Sequence, residues 1–333
     1  MRKPWLIRVV FLSLIALSAA LTQTTSSSPV AKVRWYKGNL HTHTLNSDGD
    51  TSPEEVTRWY KDRGYNFLLL SDHNRLTDAA SLNAMYASKE QFLLLQGEEV
   101  TDRYLDKPIH VNAYDLDTEL QPKHGESVVA TIQNNVDAIL AAKALPSINH
   151  PNYGWAITAE DLLQVQNLRL MEVYNGHPTV NNVGGGGFRS LDEMWDVLLT
   201  AGRRINGIAV DDAHGFKKFG REFSNPGKGW IQVRAESLTT AAIRSAIEKG
   251  EFYASTGVNL ADIQISPEEY LVEIAPRSTE KFTTYFIGAG GKVLSKTFAT
   301  RAVYHFAGTE KYVRARVESS FDVTAWTQPV FRR

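Results

Sequence analysis

His41 and His43 stand two residues apart in the run Asn39-Leu40-His41-Thr42-His43, and Asp48 follows in the next few residues. On a strand, residues i and i+2 point to the same side. Both imidazoles can therefore grip one metal ion, with the Asp48 carboxylate reaching in from the loop. Two half-buried strand histidines would show the same spacing, so the pair does not settle the matter. Further ligand types recur downstream in Ser71-Asp72-His73-Asn74, Gly97-Glu98-Glu99, His110, Asn149-His150-Pro151 and Asp211-Asp212-Ala213-His214. Cations clustered by such groups lower the pKa of a shared water toward about 7 and neutralise the oxygens of a bound phosphate. A hydroxide formed in that way can attack a phosphate ester in line, or the carbonyl of a carbamate or ester. The ligand types alone do not choose between them.

The elements that must position these residues alternate. Ser52-Pro53-Glu54-Glu55 reads as a helix start, Ser52 capping and Glu55 closing a capping box, with Gly64 as the stop. Apolar runs of buried-strand type follow at Asn66 to Leu70, Phe92 to Leu95, His110 to Tyr114, Leu145 to Ile148, Leu170 to Val173, Ile205 to Val210 and Gly229 to Val233. Between them lie helical stretches. The one from about Ser127 to Ala142 carries Val128, Ile132, Val136, Ile139 and Leu140 on one face, and others start at Thr158, at a Ser190/Glu193 capping box, and at Thr240. Such alternation predicts parallel strands covered by helices, and without a dinucleotide fingerprint a closed barrel is favoured over an open sheet. His41, His43, His73, Glu99, His150, Asp212 and His214 all fall where an apolar strand gives way to a loop. In a parallel barrel those ends share one face, a bias that core histidines would not show. Beyond about Gly257 the runs become short and alternating, which reads as an antiparallel β appendage.

Composition bounds the rest. The chain has 333 residues, 43% of them hydrophobic, with a formal net charge of −1. That gives no electrostatic case for nucleic acid or an anionic membrane surface. No cysteine occurs, which excludes disulfides, iron–sulfur clusters and thiol catalysis. Any metal must be held by nitrogen and oxygen, which suits zinc, manganese or iron. At the start, Arg2, Lys3 and Arg8 precede an apolar run from Val9 to Leu17 and small residues at Ser18, Ala19 and Ala20. This is the pattern of a secretory signal peptide, and the run is shorter than a membrane anchor needs. The expected organisation is a signal peptide over 1–22, a leader over 23–36, a metallohydrolase barrel over 37–256 and a β-rich appendage over 257–333. The expected location is secreted or periplasmic, with a small-molecule substrate and no membrane attachment after cleavage.

The ordered set His41-x-His43, Asp48, Asp72-His73, Gly97-x-Glu99, His110, His150-Pro151, Asp212-x-His214 resembles the polymerase-and-histidinol-phosphatase (PHP) superfamily of metal-dependent phosphoesterases. The resemblance covers about Lys37 to His214 and implies a distorted, TIM-like (β/α)7 barrel, an α/β fold. Phe252 to Gly257 and Ala325 to Pro329 resemble a secreted subgroup, some of whose members hydrolyse carbamates such as the insecticide carbaryl. The family pattern implies two or three divalent metal ions (Zn, Mn or Fe). One would take His41, His43, Glu99 and Asp212. A second would share Glu99 and add His110 and His150. A third would take Asp48, His73 and His214. Glu99 rather than Glu98 matches the Gly-x-Glu spacing, and Asp48 stands where some relatives have histidine. The reaction is expected to involve Glu99, His150, His214 and His177.

Other residues carry weaker signals. Asp72 and Asp211 are expected to orient histidine ligands. His177 follows a strand on the active face and either contacts substrate or makes a structural hydrogen bond. Gly184 to Gly187, opening a helix, could cradle an anion or form a loop. Arg75, Lys217, Lys218 and Arg221 are candidate phosphate clamps. His124 and His305 suggest no role. Three readings remain open: a secreted phosphoesterase, a carbonyl hydrolase acting on carbamates, esters or amides, and a non-catalytic exported metal- or glycan-binding protein.

Overall fold

Short apolar runs that stop at polar, metal-binding residue types become strands whose ends hold those residues. In the computed structural model, which describes residue 1, residues 33–277 and residues 279–332, these are β1 (Arg34–Asn39), β2 (Phe67–Leu69) and β3 (Leu93–Leu95). Apart from its first residue, the expected signal peptide lies outside the described residues, as does most of the leader. The three strands run parallel, crossed by α1 (Pro53–Asp62) and α2 (Ala79–Tyr86). Ser52 caps α1 by accepting from the Glu55 backbone N–H at 3.3 Å, with Pro53 in the first turn.

Next, β4 (Gly97–Tyr104) and β5 (Lys107–Tyr114) pair antiparallel across a two-residue turn with Leu105 in the left-handed region. β5 pairs antiparallel with β6 (Leu145–Ile148) after α3 (Val128–Ala141). On α3, Val128, Ile132, Val136 and Ile139 are buried, but Leu140 faces outward. β7 (Leu170–Asn175) and β8 (Asn206–Val210) continue in parallel, separated from β6 and from each other by α4 (Ala159–Gln164) and α5 (Leu191–Thr200). Both helices start in complete capping boxes, Thr158 with Asp161 and Ser190 with Glu193.

A closed barrel of parallel strands, the expectation from the sequence, is not what these strands build. They form a five-stranded sheet, β4-β5-β6-β7-β8, facing the β1-β2-β3 arm of a ten-stranded sheet. Among the described residues, isolated parallel bridges span the two, Thr42 to Ala213 and His73 to Glu99. The physical reason is the run Gly97 to Tyr104. It continues as a full strand and turns back as a hairpin, where a helical crossover would have kept the next strand parallel. Both seams lie at the strand ends where the candidate ligands sit.

The rest of the ten-stranded sheet grows from β1 in the other direction. β9 (Trp230–Ala235) pairs antiparallel with β1 and, after α6 (Thr240–Lys249), with β10 (Phe252–Ser255). Eight further strands follow: β11 (Leu260–Ile265), β12 (Glu269–Ile274), β13 (Phe282–Gly288), β14 (Lys292–Thr297), β15 (Arg301–His305), β16 (Tyr312–Ser319), β17 (Thr324–Thr327) and β18 (Val330–Phe331). β10 pairs with β17, which leads through β16 to β13 and β14, with β18 on β16. β11, β12 and β15 form a separate three-stranded sheet, and it shares a core of Tyr270, Val272, Phe286, Val313 and Val317 with the larger one. In the expected antiparallel region, β13, β14, β16, β17 and β18 therefore continue the sheet that carries β1, while β11, β12 and β15 pack on it as a second layer.

Candidate metal centre

The chain past β1 is pinned before any metal is considered. Asn39 Oδ1 accepts from the His41 backbone N–H at 2.8 Å, the Asp212 N–H donates to His41 O at 2.9 Å, and the His43 N–H donates to Ala213 O at 2.8 Å. The following loop is folded tightly, with the Gly49 N–H on Thr44 O at 2.9 Å. A Cβ on Gly49 would lie 2.7 Å from His43 O, so only glycine fits there. Across the seam, the Asn74 N–H donates to Glu99 O at 2.9 Å. His150 (φ 22) and Asp212 (φ 49) both adopt left-handed backbone, a strain that the surrounding hydrogen bonds must hold in place.

These constraints bring all the expected ligand residues into one cluster, from strands far apart in sequence; His41 and His43 are fully buried in it, and the others line a pocket. His41 Nε2 and His43 Nε2 lie 3.1 Å apart. Each is 3.3 Å from Glu99 Oε2 and 3.2 Å from Asp212 Oδ1. Glu99 Oε1 faces His110 Nδ1 at 3.0 Å and His150 Nε2 at 3.4 Å. Asp48 faces His214 Nε2 at 3.3 Å, His73 Nε2 at 3.5 Å and His43 Nδ1 at 3.6 Å. The ring of His43 stacks on that of His214, centroids 4.1 Å apart.

A divalent cation fits this donor set better than hydrogen bonds do. One imidazole N–H cannot serve two carboxylates and a second ring nitrogen at once. Two ligand atoms bound at about 2.0–2.1 Å in a tetrahedral shell are about 3.3 Å apart, close to the spacings around His41 and His43. Glu99 Oε2 is buried, with His73 Nδ1 at 2.9 Å and His41 and His43 Nε2 at 3.3 Å, yet none of the three is well aligned to donate to it. Groups able to hold an ion are His43, Asp48, His73 and His214; His41, His43 and Asp212; His41, Glu99 and His150; and His73, Glu99 and His110.

Glu172, which no sequence motif marks as a site residue, orients this shell. Its Oε1 is 2.6 Å from His41 Nδ1, which fixes the hydrogen on Nδ1 and leaves the Nε2 lone pair aimed at the cluster. Its Oε2 accepts from the His150 N–H at 2.7 Å and from Asn175 Nδ2 at 2.8 Å. The available signal was a lone carboxylate inside the otherwise apolar start of β7, Leu170-Met171-Glu172-Val173. Asn149 Nδ2 likewise donates to Glu99 Oε1 at 2.7 Å, and Asn175 Nδ2 to Asp212 Oδ2 at 3.1 Å. Tyr153, also unforeseen, lines the pocket beside His110, His150 and His177.

Several expectations need correction. Asp72 holds the loop rather than a histidine, accepting from the Thr44 N–H at 2.8 Å, Ser47 Oγ at 2.8 Å and Thr77 Oγ1 at 2.5 Å. Asp211 accepts from Tyr60 Oη at 2.8 Å and from the Lys228 and Gly229 N–H groups. Arg75, Lys217, Lys218 and Arg221 are absent from the pocket lining, as are Gly184 to Gly187. In the helix after those glycines, Ser190 takes the Glu193 N–H and Asn182 O the Leu191 N–H, which leaves little of its first turn for an anion. Glu98 points away from the cluster, with Oε1 on the Leu120 N–H at 2.8 Å, and burial raises its pKa to about 7. His305 pairs with Glu269 at 3.2 Å on the surface.

His177 lines the pocket. Its Nδ1 accepts from the Thr179 N–H at 3.3 Å and is 2.8 Å from Thr179 Oγ1, so the neutral ring carries its hydrogen on Nε2. Burial, offset by Asp212, lowers its pKa and keeps it neutral near pH 7. Burial opposes ionisation across the cluster, yet the imidazoles hold Glu99 and Asp212 well below the usual carboxylate range. In the same way, burial acts against protonation of His41, but Asp212, Glu99 and Glu172 raise its pKa. His43 goes the other way, to about 4, through burial and the neighbouring His214.

Comparison with solved structures supplies context for this geometry. A two-domain protein from Bacteroides vulgatus, described as containing a predicted PHP-like metal-dependent phosphoesterase, superposes with a TM-score of 0.51 at 15% identity, over 86% of this chain and 90% of that one. A candidate metal-dependent phosphoesterase from Bifidobacterium adolescentis gives 0.41 at 13% identity, over 56% and 89%. An amidohydrolase from Chromobacterium violaceum with bound sulfate and no metal gives 0.39 at 16% identity, over 54% and 88%. No family model matches the chain, and no curated protein matches it in sequence. At such identities the likeness shows a shared α/β fold with the Bacteroides protein. The chemistry must be argued from the side chains.

Proposed function

We propose that this chain is a metal-dependent hydrolase, and that its substrate is a small-molecule phosphate ester. One observation carries the reading: three imidazole nitrogens, of His73 at 2.9 Å and of His41 and His43 at 3.3 Å, crowd the single buried oxygen Glu99 Oε2 beside a pocket of about 220 Å3 walled by imidazoles and carboxylates. In the proposed assignment, His41, His43, Glu99 and Asp212 hold one ion, Glu99, His110 and His150 a second, and Asp48, His73 and His214 a third. Bound divalent cations of the zinc, manganese or iron type supply a water of lowered pKa and positive charge opposite the phosphate oxygens. The chain's own residues do the rest. Glu172 fixes the His41 tautomer. Tyr153 and His177 stand at the pocket wall, where His177 Nε2–H donates to a substrate oxygen. The apolar run and small residues within 1–22 support action outside the cytoplasm, after signal cleavage.

The test is metal analysis combined with a paired substrate screen. Purified protein is expected to carry two or three transition-metal ions per chain and to release phosphate from phosphomonoesters or diesters. His41→Ala/His43→Ala lowers both metal content and phosphate release. Turnover of aryl carbamates without phosphate release would replace the phosphoesterase reading with a carbonyl hydrolase. Fewer than one ion per chain with activity intact would remove the metal from the account.

A further inference from the structure

The pocket of about 220 Å3 has room for the reacting group of an ester and little more. Two of its walls, His110 and Tyr153, are also walls of a groove of about 800 Å3 along the β4–β5 hairpin. The groove is lined further out by Arg103, His124 and Trp155, none of which lines the metal pocket.

His124 is positioned there by a dedicated network. The side chain of Asp102, fully buried, accepts from His124 Nδ1 at 2.6 Å, while the His124 backbone N–H reaches its other oxygen at 2.9 Å. Asn135 Nδ2 donates to the same carboxylate at 2.8 Å, and Asn134 Nδ2 holds His124 O at 2.5 Å. The backbone of His124 is left-handed (φ 47), a conformation that persists only where its surroundings impose it. With Nδ1 committed to Asp102, Nε2 is left for a ligand, and the ring is 72% exposed. Trp155 is also left-handed (φ 52) and stacks on Phe188, centroids 4.4 Å apart and planes at 19°. A flat ligand ring would extend that stack, while Arg103 offers hydrogen-bond donors and the His124 ring, with its Nδ1–H on Asp102, presents Nε2 as an acceptor.

We infer that this groove binds the organic group of the ester, and that the group is nucleoside-sized: a flat heteroaromatic ring at Trp155 with polar edges met by His124 and Arg103. The inference rests on the phosphoester reading above and names the substrate class for that site. Stacking of one base on an aromatic side chain changes affinity by roughly 5- to 150-fold.

The full chain, loaded with Mn²⁺, would be assayed for phosphate release from a nucleoside 5′-monophosphate and from methyl phosphate. Trp155→Ala is expected to lower the ratio of the two kcat/KM values about tenfold, acting through KM. Arg103→Ala and His124→Ala, both at exposed side chains, are expected to lower it severalfold. Separately, adenosine titrated into the metal-free chain should quench tryptophan fluorescence saturably, and Trp155→Ala should abolish the signal. An unchanged ratio in all three variants, with no saturable adenosine signal, overturns the groove assignment. Saturable adenosine binding without phosphate release from either substrate upholds the groove and sinks the phosphoester reading instead.

Discussion

Two clusters of buried charge lie in this molecule, and they are balanced in opposite ways. Beneath α5, fully buried Arg314 donates to both oxygens of Asp196, at 2.8 and 2.7 Å, and approaches Asp192 at 3.1 Å. Arg316 adds a contact to Asp192 at 2.6 Å, and the Tyr312 hydroxyl donates to Asp196 at 2.8 Å. Two guanidiniums meet two carboxylates, and the cluster ties α5 to β16. At the strand mouth, by contrast, every ion-pair partner of Glu99 and Asp212 among the described residues is a histidine. A histidine compensates a carboxylate only when protonated. The first cluster is balanced in charge by permanently charged groups of the chain and acts as a strut, whereas the second is left open for cations from outside.

The sharpest way to break this contrast is to remove one carboxylate from each. Glu99→Ala takes away the oxygens shared by the proposed ion sites. Hydrolysis is expected to fall about a thousandfold, with loss of bound metal by elemental analysis and little loss of fold. Asp196→Ala should do the reverse, because it strands a buried guanidinium. A stability loss of about 3–5 kcal/mol in chemical denaturation is expected, with metal content per folded chain unchanged. Should Asp196→Ala instead empty the metal centre while sparing stability, the two clusters would not be independent.

Glu172→Gln tests a smaller effect inside the open cluster. Glutamine can keep the shape and its contact with Asn175 while weakening the hold on His41 Nδ1. Metal affinity should drop about 10- to 100-fold, read from competition with a chromogenic chelator. An unchanged affinity would show that the His41 tautomer is set by something other than this carboxylate.

How much of this arrangement a reader of the bare chain can see depends on sequence distance. Strand ends carrying His41, His73, His150 and Asp212 are visible, because each apolar run stops at a ligand type within a few residues. Helix starts at Ser52, Thr158 and Ser190 are equally local, since a cap is set by the residue three positions on. Glu172 is invisible as a positioning residue because its partner His41 is 131 residues away. The same holds for Asp102 and His124, 22 residues apart and joined only when the loop before α3 folds back over β4. The hairpin of β4 and β5 is hidden for a different reason. Glu98 and Glu99 look like the end of an apolar run, yet both are buried inside a strand that continues to Tyr104. A pattern rule that treats charged residues as strand stops fails where metal chemistry and a hydrogen-bonded carboxylate place them in the interior.

The remaining prediction concerns protons, the cations that compete for the open cluster. Burial alone would lower the pKa of His73, but Glu99 and Asp48 outweigh it and raise it to about 10. His214 is raised too, with burial again opposing and Asp48 and Asp212 prevailing. Near neutral pH the metal-free centre therefore holds protons on these rings, and an entering metal must expel them. A group raised on folding adds stability that is fully present below its unfolded pKa, about 6.5 for histidine, and is lost as pH climbs through the folded value. For His73 that window runs from about 6.5 up to about 10. Metal binding follows the opposite trend, since fewer protons remain to displace at higher pH. The gap in Tm between metal-loaded and chelator-stripped protein should therefore widen from about pH 6.5 to about pH 8.5. Calorimetric titration of Mn²⁺ in two buffers of different ionisation enthalpy should show net proton release at pH 7. A gap that narrows, or titration without proton release, would mean that these histidines are already neutral, and the centre would then lack the internal countercharge described here.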